Sequence, residues 1–252
     1  MSTALLAPPI TAAGEVDAAL RERGHAVLDG ADLHARLGVA IGALDVWQPY
    51  WNRLPPDVHL RDGGRYRQRR HGSFVVEGDV VRAVPHRAHW QPVEYNALHG
   101  GIERWFEPLE PAMVQEPLWP GLLQALAARA SALRGAQAWY VEAHPFRIDT
   151  AGGIGRPTPE GAHRDGVDLV AVLLVARVGV KGGETRVFDA DSPAGLRFTM
   201  SQPWTTLLLD DARVIHETTP IQPLDAQRGG HRDTLVITLR AGGFQGPGEP
   251  MT

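Results

Sequence analysis

The sequence predicts a mainly β fold with flanking helices, and three observations predict it. The 252 residues include 28 glycines and 20 prolines, about 19% of the chain against a typical ~12%. So many turn residues suit short strands better than a helical bundle. From Ala138 onward, strand-like segments recur between turn signals, whereas up to about Gly135 the apolar spacing is mostly helical. No internal repeat or low-complexity linker divides the chain. One domain spanning 1–252 is therefore expected, with 1–135 as a helical and hairpin N-terminal cover and 136–245 as the β core.

Taken in order, Thr11 is placed to cap a short helix through Leu20 that stops near Gly24. Asp32 is placed to cap a second, with Leu33, Leu37, Ile41 and Leu44 on one stripe. Gly63–Arg82 reads as a hairpin in which Ser73–Val76 and Val80–Arg82 flank Glu77-Gly78-Asp79. The clearest helix lies between Pro120 and Gly135, with Leu122, Leu123, Leu126, Ala130 and Leu133 on one face. Strands are expected at Ala138–Ile148, Asp168–Val178, Glu184–Asp189, Leu196–Met200, Thr205–Leu209, Arg213–Thr218 and Arg232–Arg240. Such a series suggests a sandwich, jelly roll or barrel. Alternation along the last strand puts Arg232, Thr234, Val236 and Thr238 on one face. Asp233, Leu235, Ile237 and Leu239 take the other, which the Pro120 helix can cover. The first face is partly polar, which is costly in a small core unless it lines a site.

Composition narrows the function. An apolar content of 43% and a formal charge of -4 exclude disorder and argue against general nucleic-acid binding. With no cysteine, thiolate metal sites, disulfides and cysteine nucleophiles are excluded, so any metal must be held by His, Asp or Glu. The longest apolar run, Leu169–Ala176, is far below the ~18 residues of a membrane span. Met1–Ile10 has no basic residue ahead of its apolar patch and does not read as a secretory signal, so a cytoplasmic protein without a membrane or nucleic-acid partner is expected. Nothing in the sequence supports a homo-oligomer or excludes one.

The sharpest chemical signal is His163-Arg164-Asp165 followed by His216. In an extended segment His163 and Asp165 point the same way, and an imidazole from a distant strand completes two His and one carboxylate. That set leaves coordination positions open, as in non-heme Fe(II) oxygenases. The chain holds two His-x-acid pairs, about what chance supplies, but His231/Asp233 has no later histidine to act as third ligand. Arg232 and Thr234 open the last strand on its polar face, a fork and a hydroxyl suited to a buried carboxylate.

The order His163-x-Asp165, His216, Arg232-x-Thr234 resembles the Fe(II)/2-oxoglutarate-dependent dioxygenases. The stretches Tyr140–Asp149, Thr158–Gly166, Gly182–Thr185 and His216–Ile221 resemble one bacterial branch of that family. It contains free amino-acid hydroxylases of the isoleucine 4-hydroxylase type and biofilm- and stress-associated homologues. The resemblance implies a double-stranded β-helix (jelly roll) with Fe(II) held by His163, Asp165 and His216. It also implies 2-oxoglutarate as co-substrate, gripped by Arg232 and Thr234, and O2 as oxidant. Hydroxylation of a small polar substrate, a free amino acid, would release succinate and CO2. Tyr140, Glu142 and His144 share a face of their strand. Tyr140 is then placed to contact the co-substrate, and Glu142, His144 and Arg147 to meet the substrate, with ordinary strand-bracing as the alternative. Arg61, Arg65, Arg67, Arg69 and Arg70 suggest a solvated hairpin face or an anion-binding lid. The rival functions are a non-catalytic jelly roll that senses 2-oxoglutarate or iron, and a zinc hydrolase, which would leave Arg232 unexplained.

Overall fold

The computed structural model describes residues 5–247. The ends of the expected 1–252 domain, and the first residues of Met1–Ile10, lie outside them. A 3-10 turn at Ala13–Glu15 leads into α1 (Val16–Arg23), which ends at Gly24. Thr11 does not cap it. The Thr11 hydroxyl accepts a hydrogen bond from the Val27 amide at 3.2 Å, so Thr11 lies alongside β1 (His25–Leu28), a strand too short to register in the pattern. α2 (Gly30–Arg36) is capped by Asp29 rather than Asp32: the Asp29 carboxylate accepts from the Asp32 amide at 2.8 Å. Asp29 has the extended backbone that an N-cap requires. The helix ends before Ile41, which is exposed, so the expected stripe does not continue. A 3-10 segment, Ala43–Arg53, follows and buries Trp47 and Trp51.

The hairpin region contains β2 (Arg67–Arg69), β3 (Gly72–Glu77) and β4 (Val80–Ala83). After α3 (Pro111–Val114) comes α4 (Leu118–Arg134), two residues longer at its start than the Pro120 signal suggests. The remaining strands are β5 (Trp139–Asp149), β6 (Leu169–Val178), β7 (Val180–Gly182), β8 (Thr185–Asp189), β9 (Gly195–Phe198) and β10 (Thr206–Asp210). They end with β11 (Val214–Thr218), β12 (Ile221–Pro223) and β13 (His231–Arg240).

The major sheet runs β1-β10-β6-β13-β5-β3-β4, with β2 also on β5, and every pairing is antiparallel. Opposite it stand β11-β8-β9 and β12-β7. Four of the eight strands in the major sheet precede Gly135, so the expected division into an N-terminal cover and a β core does not hold. The reason is geometric: β1 and β2–β4 complete the edges that a 136–245 sheet would leave unpaired.

β13 alternates as expected. Leu235, Ile237 and Leu239 join Leu122, Leu123, Leu126, Trp47, Trp51 and Trp119 in one core on the helical side. Between the two sheets a second core of Val27, Val170, Leu174, Val187, Phe198 and Leu207 closes one end of the roll. The other end is open to polar side chains. A register shift between Asp233 and Thr234 sets the start of β13. There the Trp51 indole donates to the carbonyls of Phe146 and Thr234, at 2.9 and 3.3 Å.

Candidate metal centre and its cavity

His216 lies on β11, and the chain carrying His163 pairs with it through two backbone hydrogen bonds of 3.0 Å. This antiparallel bridge sets the two imidazoles 4.6 Å apart between ring centroids. Asp165, two residues on, turns the same way. Its carboxylate oxygens lie 3.8 Å from His163 Nε2 and 3.9 Å from His216 Nε2. One donor atom from each of the three residues falls within 4.8 Å of the others. These separations exceed a hydrogen bond, yet suit one ion: at a ligand distance of roughly 2.1 Å, two donors lie within about 4.2 Å of each other.

The surroundings prepare the donors. His163 Nδ1 donates to the Gly161 carbonyl at 3.0 Å, which leaves the Nε2 lone pair facing Asp165. Burial lowers the His163 pKa, but Asp165 and Glu160 outweigh it and hold the imidazole above its ordinary value. Burial, and then His163, push His216 far below its own. Two side chains fix Asp165. Gln91 Nε2 donates to its Oδ1 at 3.1 Å. Buried Asp211 accepts from the amides of Asp165, Gly166 and Val167, at 3.1, 2.7 and 3.1 Å. Gly166 has φ +74°, and a Cβ there would meet the Tyr95 ring at 2.4 Å, so only glycine lets the loop turn under that ring.

Arg232 faces the same cavity from β13 and is 3% exposed, with Thr234 beside it. Its Nε and Nη2 are buried without a hydrogen-bond partner. Burial, and then Arg177, push the guanidinium pKa down to about 10. Gly183 has φ +68° and passes so close that a Cβ would lie 2.9 Å from Arg177 Nη1 and 3.8 Å from Arg232 Cδ. An unanswered buried cation is costly unless a ligand supplies its anion. The residues therefore fit a divalent iron at the triad and a carboxylate at Arg232.

The cavity has a volume of about 120 Å³. Its apolar lining includes Phe146, Ile148, Val167, Val172 and Val236. A larger groove of about 790 Å³ lies behind the Asp165–Val167 loop and contains none of the three donors. Glu142 and His144 both reach the cavity. Glu142 accepts from His71 Nε2 at 2.9 Å and Arg87 Nη1 at 3.0 Å, with His89 Nδ1 at 3.4 Å. His144 Nδ1 accepts from Arg69 Nη2 at 2.6 Å.

Two expected contacts are not brought together. Tyr140 pairs with Arg240, whereas Arg232 pairs with Ile148, a separation of roughly 26 Å along the strand at ~3.3 Å per residue. Tyr140 packs edge-on against Phe244 instead. Arg147 points to the outer face, where it forks onto Asp233 through Nε at 2.8 Å and Nη2 at 2.7 Å. The arginine-rich stretch is not uniformly solvated either. Arg67 and Arg69 alternate into the cavity on β2, while Arg61 and Arg65 remain exposed. Period-two spacing of Arg67 and Arg69 was the available signal for these two. Asp211 had a weaker one, a pair of acids between apolar strands, and Gln91 and Arg104 had none because they converge from a loop.

A family model for 2OG-Fe dioxygenases matches residues 48–238. Among solved structures, the chain is similar to a bsmA homolog from Methylobium petroleophilum PM1. The two are 56% identical over 96% of this chain and 98% of that one, with a TM-score of 0.90. IDO from Bacillus thuringiensis is 16% identical over 94% and 99% of the two chains, with a TM-score of 0.70. The Fe(II)/α-ketoglutarate-dependent dioxygenase TqaL is 20% identical over 95% and 90%, with a TM-score of 0.67. At these identities the last two show a shared double-stranded β-helix fold and no more. Among curated proteins none matches the chain.

Proposed function

The chain belongs to the 2OG-Fe dioxygenase family, and we propose that it hydroxylates a small polar substrate, a free amino acid, acting as a single domain. Enzymes of this family use Fe(II), 2-oxoglutarate and O2. We place the protein in the bacterial branch of isoleucine 4-hydroxylase-type enzymes and biofilm- and stress-associated homologues, which the stretches around His144, His163 and His216 resemble. In this reading His163, Asp165 and His216 hold the iron, and Arg232 with Thr234 grips the distal carboxylate of 2-oxoglutarate. Glu142 and His144 face the substrate.

When bound, iron with 2-oxoglutarate and O2 supplies the oxidising power that replaces C–H hydrogen by hydroxyl, with succinate and CO2 as co-products. The protein's own part is orientation and shielding. Three protein donors leave the remaining coordination positions open to the reactants. Gln91 and Asp211 keep Asp165 turned toward the two imidazoles. Arg232 offers two parallel donors, which sets the orientation of a carboxylate as well as its affinity. The valines and Phe146 along the wall limit the water that can reach the reacting carbon.

One observation carries the reading: the three donor atoms converge in a cavity that an unpartnered, buried Arg232 also faces. The test is spectroscopic. Anaerobic addition of Fe(II) and 2-oxoglutarate should produce a visible charge-transfer band that His163→Ala abolishes. Absence of the band in folded, iron-loaded protein would defeat the proposal, and screening amino acids for stimulated succinate release then identifies the substrate.

A further inference from the structure

Besides Arg232, two more guanidinium groups line the cavity with no carboxylate to answer them. Arg69 and Arg104 are 3% and 2% exposed. Neither has an ion pair within 4 Å among the described residues, in contrast to Arg67, whose Nε lies 2.7 Å from Asp57. Arg69 spends one nitrogen on His144 and is sandwiched between the rings of Phe106 and Phe146, 3.8 and 4.3 Å from their centroids. Arg104 donates from Nη2 to Gln91 Oε1 at 2.7 Å. The Nε of each is buried and unpartnered. Both guanidinium groups surround the Phe106 ring. Since Gln91 also donates to Asp165, the Arg104 side chain stands two hydrogen bonds from the triad.

We propose that the substrate carries a carboxylate that seats on Arg69 and Arg104, with its aliphatic part lying along Val167, Val172 and Val236 toward the triad. This deepens the hydroxylase reading and rests on it. Charge supports the assignment: Asp57 is taken by Arg67, which leaves Arg69, Arg87 and Arg104 against Glu142 and Glu160, neither of them within 4 Å of Arg69 or Arg104. Burial, followed by Arg67, pushes the Arg104 pKa down to about 10, as expected of a cation awaiting an anion. The same charges oppose a different occupant. His71, His89, Glu142 and His144 could hold a metal by donor type and spacing, but Arg69 already donates to His144 and Arg87 to Glu142. A divalent cation would sit among three guanidinium groups.

The test uses protein loaded anaerobically with Fe(II) and 2-oxoglutarate and measures thermal stabilisation and Kd. The probes are the free amino acids, their primary amides, and small aliphatic carboxylates without an amino group. At least one acid should raise Tm where its amide does not. Arg69→Gln and Arg104→Gln should each raise that acid's Kd on the order of 30-fold or more, the cost of leaving a buried charge unanswered. Arg69→Lys and Arg104→Lys keep the charge but lose the fork, and serve if a Gln variant fails to fold; they should give a smaller increase. Equal binding of acid and amide, unchanged Kd in the variants, or no binding by any carboxylate would overturn the proposal. So would a second equivalent of metal that His89→Gln removes. If only carboxylates without an amino group bind, through the arginines, the amino-acid reading fails and the arginine pair stands. An amino acid that binds independently of the arginines gives the reverse.

Discussion

At the scale of single residues, Arg232 gives the clearest prediction. Its Nε and Nη2 have no hydrogen-bond partner among the described residues, as suits a group kept for a ligand. Arg232→Gln should raise the Kd of 2-oxoglutarate on the order of 30-fold or more, read from the charge-transfer band during anaerobic titration. An unchanged Kd would remove Arg232 from that role. His163, Asp165 and Arg232 could be singled out in the sequence because each signal was local, an i, i+2 pair or a face of one strand, and His216 followed as an imidazole on a later strand. Tyr140 and Arg147 show the limit of such signals. Sharing a face with Glu142 says nothing about distance along β5, and the Asp233 partner of Arg147 comes from a strand that pairs with it only in the fold. Arg104 is legible only in three dimensions, and only there does the lack of a carboxylate within ion-pair distance of Arg69 become visible.

At the scale of elements, long periodic segments were readable and short ones were not. The α4 face of Leu122, Leu123 and Leu126 is buried as its spacing implies. Leu123 is fully buried against the major sheet, so Leu123→Ala should cost about 2–5 kcal/mol, measured by urea unfolding. A loss below about 1 kcal/mol would mean that the sheet face can collapse onto the gap. Strands of three or four residues such as β1, β7 and β12 carry too few alternations to be told from loops. Cap choice failed for a related reason. Asp29 and Asp32 are equally suited by type, and only the extended backbone at Asp29 decides between them.

For the whole molecule, burial of neutral histidines sets the response to acid. Burial pushes His89 down to about 3 and His99 to about 4. The unfolded chain takes up protons below about 6.5, whereas the folded protein refuses them until those lower values. The contribution of these two histidines is therefore full above about pH 6.5 and falls as the pH drops, each costing about 2 kcal/mol by pH 5 at roughly 1.4 kcal/mol per unit. Urea unfolding at pH 7.5 and pH 5 measures the loss, which His89→Gln and His99→Gln should each reduce, and an unchanged loss in both variants would show that these imidazoles are not held neutral. The neighbour relations that create such burial were beyond the sequence pattern, which gave strands but not their order. That order has a consequence for how the protein is made. β13, the last of the described strands to be synthesised, occupies the middle of the major sheet, with β5 on one flank and β6 on the other. Until the ribosome has released Arg240, the nascent chain presents two long, apolar, unpaired edges with a gap between them, the kind of surface on which chaperones act and aggregation begins.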